Sequence, residues 1–251
     1  MTSPVGSDWQ VEHHGCVDST QALARGRPAW SAVVAQEQSA GRGQAERTFQ
    51  SDPGGLYVTT VLPYAGDPLA SRGFALAVGW ALREMLQGLG VGNLRLRWPN
   101  DLMVGVRKVG GILVEQDGPD TVLVGIGLNV TNQPGQADSS LAGTAGRLSD
   151  AMAGRSLPDY ATLTASVLRA VRVAHEEFLL RRLAGFATRL EPCWGPPREV
   201  EIEPAQGVIA PVTRGRFCGI DAEGQLLLET KTGCVVAIPA HYVGRLRETG
   251  V

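Results

Sequence analysis

Two apolar, β-branched runs, KVGGILVEQ (108–116) and TVLVGIGLNV (121–130), are separated by Asp117-Gly118-Pro119-Asp120. Runs of this kind read as strands, and a connection built from Asp, Gly and Pro reverses the chain, so the pair predicts a β-hairpin. Both runs carry glycines in their interiors, Gly110-Gly111 in one and Gly125-Ile126-Gly127 in the other. Interior glycines weaken a strand unless another group must approach its backbone. As a dinucleotide-binding G-x-G-x-x-G the second run fails, because residue 130 is valine and no helix follows. The expectation is a sheet surface with side chains removed, suited to a flat, apolar, ring-shaped ligand.

Further elements frame the hairpin. WSAVVAQEQ (30–38) and LYVTTVLP (56–63) read as strands, and LRLRWP (94–99) as a third. DSTQALARG (18–26) offers Asp18 or Ser19 as N-cap of a short helix ending at Gly26. In 72–90, Phe74, Val78, Leu82, Met85 and Leu89 recur at helical spacing and predict a core-facing helix. Residues 131–158 read as a loop with one short helix, and 159–190 as a long amphipathic helix with a break at Gly185. Composition changes at Cys193-Trp194-Gly195-Pro196-Pro197. Beyond it lie short alternating segments and tight turns, which predict a small barrel or sandwich and a domain boundary near Gly195.

A chain of 251 residues accommodates one substantial core with a small appended domain. Its net charge of −2 lacks the basic footprint of nucleic-acid binding, so no nucleic-acid partner is expected. Neither a signal peptide nor a run of membrane-spanning length is read, so the expected location is the cytoplasm, with no membrane partner. Cys16, Cys193, Cys218 and Cys234 are far apart and lack metal-ligand spacing, which suggests reduced thiols.

Chemistry gathers in two stretches. In AGRGQAERTFQSDPGGLY (40–57), glycines flank Arg42, so the backbone can approach a ligand and amides can turn toward an anion such as phosphate. A surface turn with a solvated arginine is the plainer alternative. In WPNDLMVGVRKVGGILVE (98–115), Pro99 ends strand pairing and leaves Asn100 and Asp101 exposed at a strand tip, with Lys108 opening the next strand. Ordinary turn chemistry and a solvated edge lysine stand beside that reading. Lys108 and Arg42 would present positive charge to the anionic end of a ligand.

Taken together, AGRG at 40–43, WPND at 98–101, RKVGGILVE at 107–115, DST at 18–20 and GIGLNV at 125–130 agree in order and spacing with one family. The chain resembles the biotin protein ligases over nearly its whole length. The resemblance implies an α+β fold: a mixed central sheet with helices on one face, as in class II synthetase-like biotin and lipoate ligases, followed by a small SH3-like barrel. It places the catalytic domain at 8–194 and the barrel at 195–251. It also implies a reaction in which biotin attacks the α-phosphate of ATP with Mg²⁺ assistance, giving biotinyl-5′-AMP. A lysine of a biotin carboxyl carrier domain then takes the acyl group.

By the same resemblance, Lys108, Arg42 and Asp101 are catalytic. Biotin is lined by Ser19, Thr20, Gln21, Gln38, Arg42, Gly43, Gln44, Lys108, Gly111 and Gly125. The nucleotide is lined by Gly41, Arg42, Gly43, Arg47, Asn100, Lys108, Asn129 and Arg247, while Mg²⁺ ligands are left unassigned. Hydroxyls and amides suit a neutral ureido ring, and fixed cations suit two anions brought together. One departure from the family pattern stands out: Gln44 occupies a position usually cationic, and Ala45 and Glu46 follow where arginine and glycine are usual. Few residues precede the first catalytic segment, so a monofunctional ligase without a DNA-binding domain is expected, either monomer or homodimer. The rival readings are a lipoate or octanoyl-type carrier-protein acyl ligase or transferase, and a catalytically silent biotin sensor.

Overall fold

The computed structural model describes residues 9–44, 47–64 and 73–249. Seven strands build the first sheet: β1 (Gln10–Val17), β2 (Ser31–Gln38), β3 (Leu56–Pro63), β4 (Leu94–Arg97), β5 (Asp101–Val104), β6 (Arg107–Gln116) and β7 (Thr121–Leu128). Their order is β1-β2-β3-β7-β6-β5-β4, with β1 and β2 parallel and the other neighbours antiparallel. The sheet is therefore mixed, and β6 and β7 form the expected hairpin, with Gly111 opposite Gly127.

Strand alternation assigns the two faces. Val58, Leu62, Val122, Val124, Ile126 and Ile112 point into a large core, where helices α2 (Phe74–Gly88) and α3 (Tyr160–Arg181) cover the sheet. Phe74 and Phe178 meet there with ring centroids 4.9 Å apart. Full burial of one such side chain contributes about 1.5–3 kcal/mol. The opposite face carries the short helix α1 (Thr20–Ala24), whose Ala24 packs on Val33, Val61 and Leu123. The two long helices thus lie on one face as expected, and α1 lies on the other. Among the described residues no helix is long and apolar enough to cross a membrane.

Three elements differ from the sequence reading. β1 was not expected: its QVEHHGCV is mostly exposed, so no apolar alternation marks it, and pairing with β2 makes it a strand. β5 forms where a connection was expected. α3 ends at Arg181, before Gly185, because Arg182 takes a φ of 53° and the chain turns into a 3₁₀ segment, Leu183–Phe186.

β8 (Glu199–Pro204), β9 (Thr213–Ile220), β10 (Leu226–Glu229), β11 (Val235–Ile238) and β12 (Val243–Thr249) make a second, antiparallel sheet in the order β11-β10-β9-β8-β12. Its Val200, Ile202, Phe217, Leu226 and Leu228 join the same core as α2 and α3. Polar ties reinforce that union. Trp98 Nε1 donates to Gly224 O (2.9 Å), and Glu248 on β12 accepts two bonds from Arg95 on β4 (2.9 and 2.5 Å). Arg198 stands 3.4 Å from the same carboxylate.

Candidate active site

On the α1 face, sheet register aligns one residue from each of four strands. Tyr57 lies opposite Gly127, Gly127 opposite Gly111, and Gly111 opposite Asp101. A second row sets Thr59 opposite Gly125 and Gly125 opposite Leu113. Glycines thus form the floor, bounded by Tyr57 on one side and Asp101 on the other.

Lys108 reaches this floor because β6 is irregular. The register with β5 shifts between Leu102↔Gly110 and Met103↔Lys108. Val109 is in the helix-side core, and a Cβ on Gly110 would meet Leu128 and Leu102 of that same core. Two consecutive residues thus face the helices, and the bulge turns Lys108 to the side of Gly111. Lys108 Nζ is 2.6 Å from Asp101 Oδ1, and Arg97 Nη2 donates to Asp101 Oδ2 (2.6 Å). Burial would push the Asp101 carboxyl up; the charges of Lys108 and Arg97, with their hydrogen bonds, outweigh it and hold the group below the ordinary carboxylate value. Asp101 is not exposed at a strand tip, as the sequence suggested: its side chain is 12% accessible and it opens β5. Asn100 is also engaged, its Nδ2 donating to Ile112 O (2.7 Å) while its carbonyl accepts from Ile112 N (3.0 Å).

At the other end of the floor lies a buried polar group. Ser19 caps α1, accepting from Ala22 N (3.4 Å). Gln38 Oε1 accepts from both Thr20 N (2.8 Å) and Thr20 Oγ1 (3.0 Å). Thr59, wholly buried, has its hydroxyl 2.9 Å from Thr20 Oγ1 and 3.1 Å from Gln21 Oε1. Ser19, Thr20, Gln21 and Gln38 are therefore brought together as expected, beside Gly125.

The glycine floor is not bare. A Cβ on Gly125 would stand 2.5 Å from Gln21 Oε1, and one on Gly127 would stand 2.5 Å from Phe49 Cε1. A Cβ on Gly111 would meet Lys108 Nζ at 3.1 Å and Phe49 Cε2 at 3.3 Å. The missing side chains thus make room for Gln21, Phe49 and Lys108, and Lys108 Nζ lies 5.4 Å from the Phe49 ring centre. Phe49 was not singled out in the sequence, where an aromatic after a polar loop has no periodicity to mark it. Tyr57 meets the same ring edge-on, and its hydroxyl donates to Asp52 O (2.8 Å). Burial, then the Asp52 charge, raises its phenol.

The arginine loop closes on itself. Arg42 pairs with Thr48 across it, and Gly43 N donates to Arg47 O (2.7 Å), so that amide serves the loop rather than an anion. Gly41 has no room for a side chain, since its Cβ would collide with Phe49 O and Ser51 Oγ. Arg42 and Arg47 are exposed, and Arg47 Nε donates to Gln44 O (3.1 Å). Ala45 and Glu46, which with Gln44 depart from the family pattern, lie outside the described residues. Asn129 is buried and donates to Gly146 O (3.0 Å), which docks the segment before Leu148 against Lys108. Arg247 sits on β12, 3.0 Å from Glu203 and 4.0 Å from Glu201, so it is held within the second sheet.

The arrangement sets a buried polar cluster, a glycine floor and a lysine–carboxylate pair in sequence along one face. The family model described as "Biotin/lipoate A/B protein ligase family" matches residues 16–130. The bifunctional ligase/repressor BirA of Bacillus subtilis (strain 168) is 30% identical over 240 residues, which are 88% of this chain and 70% of that protein. BirA of Escherichia coli (strain K12) is 33% identical over 204 residues, 79% of this chain; the match spans 61% of the length of that relative. The biotin protein ligase from Aquifex aeolicus in complex with biotin and ATP superposes with a TM-score of 0.81 at 25% identity, covering 96% of this chain and 99% of that one.

Proposed function

The chain belongs to the biotin/lipoate A/B protein ligase family, and from that membership we propose that it is an ATP-dependent biotin ligase. It activates biotin as biotinyl-5′-AMP and passes the acyl group to a lysine of a biotin carboxyl carrier domain. The observation that carries this reading is the row Tyr57, Gly127, Gly111, Asp101, which ends at Lys108 and lies beside the buried polar cluster of Thr20, Gln21 and Gln38. A ureido ring suits the polar cluster, and the thiophane and acyl chain suit the glycine floor once Phe49 moves off it. The biotin carboxylate then reaches the end where Lys108 stands.

Joining a carboxylate to a polyphosphate brings anions together, and a fixed cation stabilises that charge in the transition state. Lys108 supplies it by turning from Asp101 to the phosphate. Arg97 stays on Asp101, so the carboxylate keeps a partner when the lysine leaves. Arg42 contributes a second cation from the loop, with Gly41, Gly43, Gln44 and Arg47 shaping its closure; Asn100 and Asn129 stand at the nucleotide end, which Arg247 reaches only by leaving Glu203 and Glu201. Mg²⁺ belongs to this proposal as a companion of ATP. Among the described residues no group of three or more His, Cys, Asp or Glu forms a protein-only metal site. An ion held chiefly by phosphates suits such a site, and it supplies neutralisation of phosphate charge.

We divide the chain into a catalytic part, 8–194, and a C-terminal part, 195–251. The four free cysteines accord with a reducing cytoplasm. The test is one incubation with biotin, ATP and a carrier domain, read by mass spectrometry. A carrier heavier by one biotinyl group, dependent on ATP, is expected. Transfer of an octanoyl or lipoyl group instead, or binding of biotin without transfer, would overturn the reading.

A further inference from the structure

Two amides, Gln21 and Gln38, lie in the buried polar cluster, and each is clamped so that it can point one way only. A primary amide turned by 180° occupies almost the same volume with donor and acceptor exchanged, so its direction must be set by its neighbours. Gln38 Oε1 already accepts two bonds from Thr20. Its Nε2 donates to Ser51 Oγ (2.9 Å), and the Ser51 hydrogen is spent on Phe49 O (2.8 Å), so the serine oxygen can only accept. Gln21 Nε2 donates to Glu115 Oε2 (3.1 Å), a carboxylate that can only accept and is itself held by Arg25 (2.6 Å). Thr59 has one proton for two acceptors, Thr20 Oγ1 and Gln21 Oε1. With that proton on Thr20, Gln21 Oε1 keeps acceptor capacity, while Gln38 Nε2 keeps one unused hydrogen.

We propose that Ser51 and Glu115 are positioning residues that fix the directions of the Gln38 and Gln21 amides, and so set the donor and acceptor pattern by which this site prefers a cyclic urea to an aliphatic acyl chain. The inference rests on the biotin ligase reading above. A cyclic urea has one carbonyl between two N–H groups and satisfies a fixed donor and a fixed acceptor together. An aliphatic chain satisfies neither and leaves both unpaired, which a site built on hydrogen bonds penalises. Both residues are distant in sequence from the residues they orient: Ser51, 2% exposed, follows the arginine loop, and Glu115 is next to last in the hairpin strand β6.

The test uses the full chain and the adenylation half-reaction, with biotin as substrate and octanoate, a carboxylic acid without a urea, as competitor. Ser51→Ala and Glu115→Leu each remove one clamp; Glu115→Gln keeps an acceptor facing Gln21. For the first two, KM for biotin is expected to rise about tenfold, which corresponds to about 1.4 kcal/mol, while kcat, KM for ATP and inhibition by octanoate stay within about twofold. Glu115→Gln should bring KM for biotin back to within about threefold of the unaltered protein. An unchanged KM for biotin in both Ser51→Ala and Glu115→Leu overturns the proposal. So does a parallel shift of KM for biotin, KM for ATP and octanoate inhibition, since that is general loosening. If the unaltered protein forms no biotinyl-5′-AMP, the ligase reading itself falls, an outcome distinct from either.

Discussion

Asp101 is shared by two cations in the resting structure, Lys108 and Arg97, and that sharing makes the lysine available without stranding the carboxylate. Replacing Lys108 with Gln leaves Asp101 paired with Arg97, so the fold should hold; loss of a charge-assisted contact made in the transition state should slow single-turnover adenylation by about two to three decades. Near-normal adenylation would remove Lys108 from the chemistry. The glycines divide by what a side chain would meet. At Gly125 it meets the end of the Gln21 side chain, which can shift by giving up its hydrogen bonds, whereas at Gly110 it meets Leu128 at 2.8 Å and the backbone carbonyl of Gly127 at 2.9 Å. Gly125→Ala should therefore weaken biotin binding, read by calorimetry, with Tm nearly unchanged. Gly110→Ala should instead lower stability by about 1–3 kcal/mol through overpacking, read by denaturant unfolding. Much of the site was legible at this scale, because the motifs around Lys108, Asp101, Thr20 and Gln38 have fixed spacing. Phe49, Thr59, Ser51 and Glu115 were not, since their roles come from register and from which atoms a neighbour leaves unsatisfied.

The hairpin β6–β7, strands β2 and β3 and helices α2 and α3 were readable from periodicity and turn residues. β1 and β5 were not, because an exposed edge and a four-residue strand carry no pattern of their own and are made strands by their partners. Helix α3 also holds a buried titratable group away from the site. His175 is buried, its Nε2 2.7 Å from Pro63 O and its ring edge-on to Trp30, with Glu176 and Arg172 as nearby charges. Burial pushes its pKa below the ordinary 6.5. The unfolded chain therefore binds a proton at higher pH than the native one, so stability should fall as pH drops below about 6.5 and continue falling until the native value is reached. His175→Gln keeps a donor for Pro63 and removes the titration. Its Tm should lose less between pH 7.5 and 5.5 than that of the unaltered protein, measured by calorimetry; equal losses would assign the acid sensitivity elsewhere.

Across the whole molecule, two groups of a carboxylate between two cations lie from the site to the last strand: Lys108, Asp101 and Arg97, then Arg95, Glu248 and Arg198. Glu248 is 8% accessible and Arg95 11%, so this tie between the two sheets is poorly screened. Glu248→Ala strands two buried arginines and should cost about 3–5 kcal/mol, seen as a lower denaturation midpoint in one cooperative transition. Two separate transitions would show that the second sheet folds independently, against the single core that Val200, Phe217 and Leu228 share with α2 and α3. The row of Tyr57, Gly127, Gly111 and Asp101 has a consequence for how the protein comes into being. Gly111 and Gly127 are brought together by a hairpin, a local event, but Tyr57 joins only when β3 pairs with β7 across most of the intervening chain. Closing so long a loop is slow and is rewarded only once the strands dock. The candidate site row is therefore completed by the long-range step of folding, and a newly made chain cannot assemble it before its core is closed.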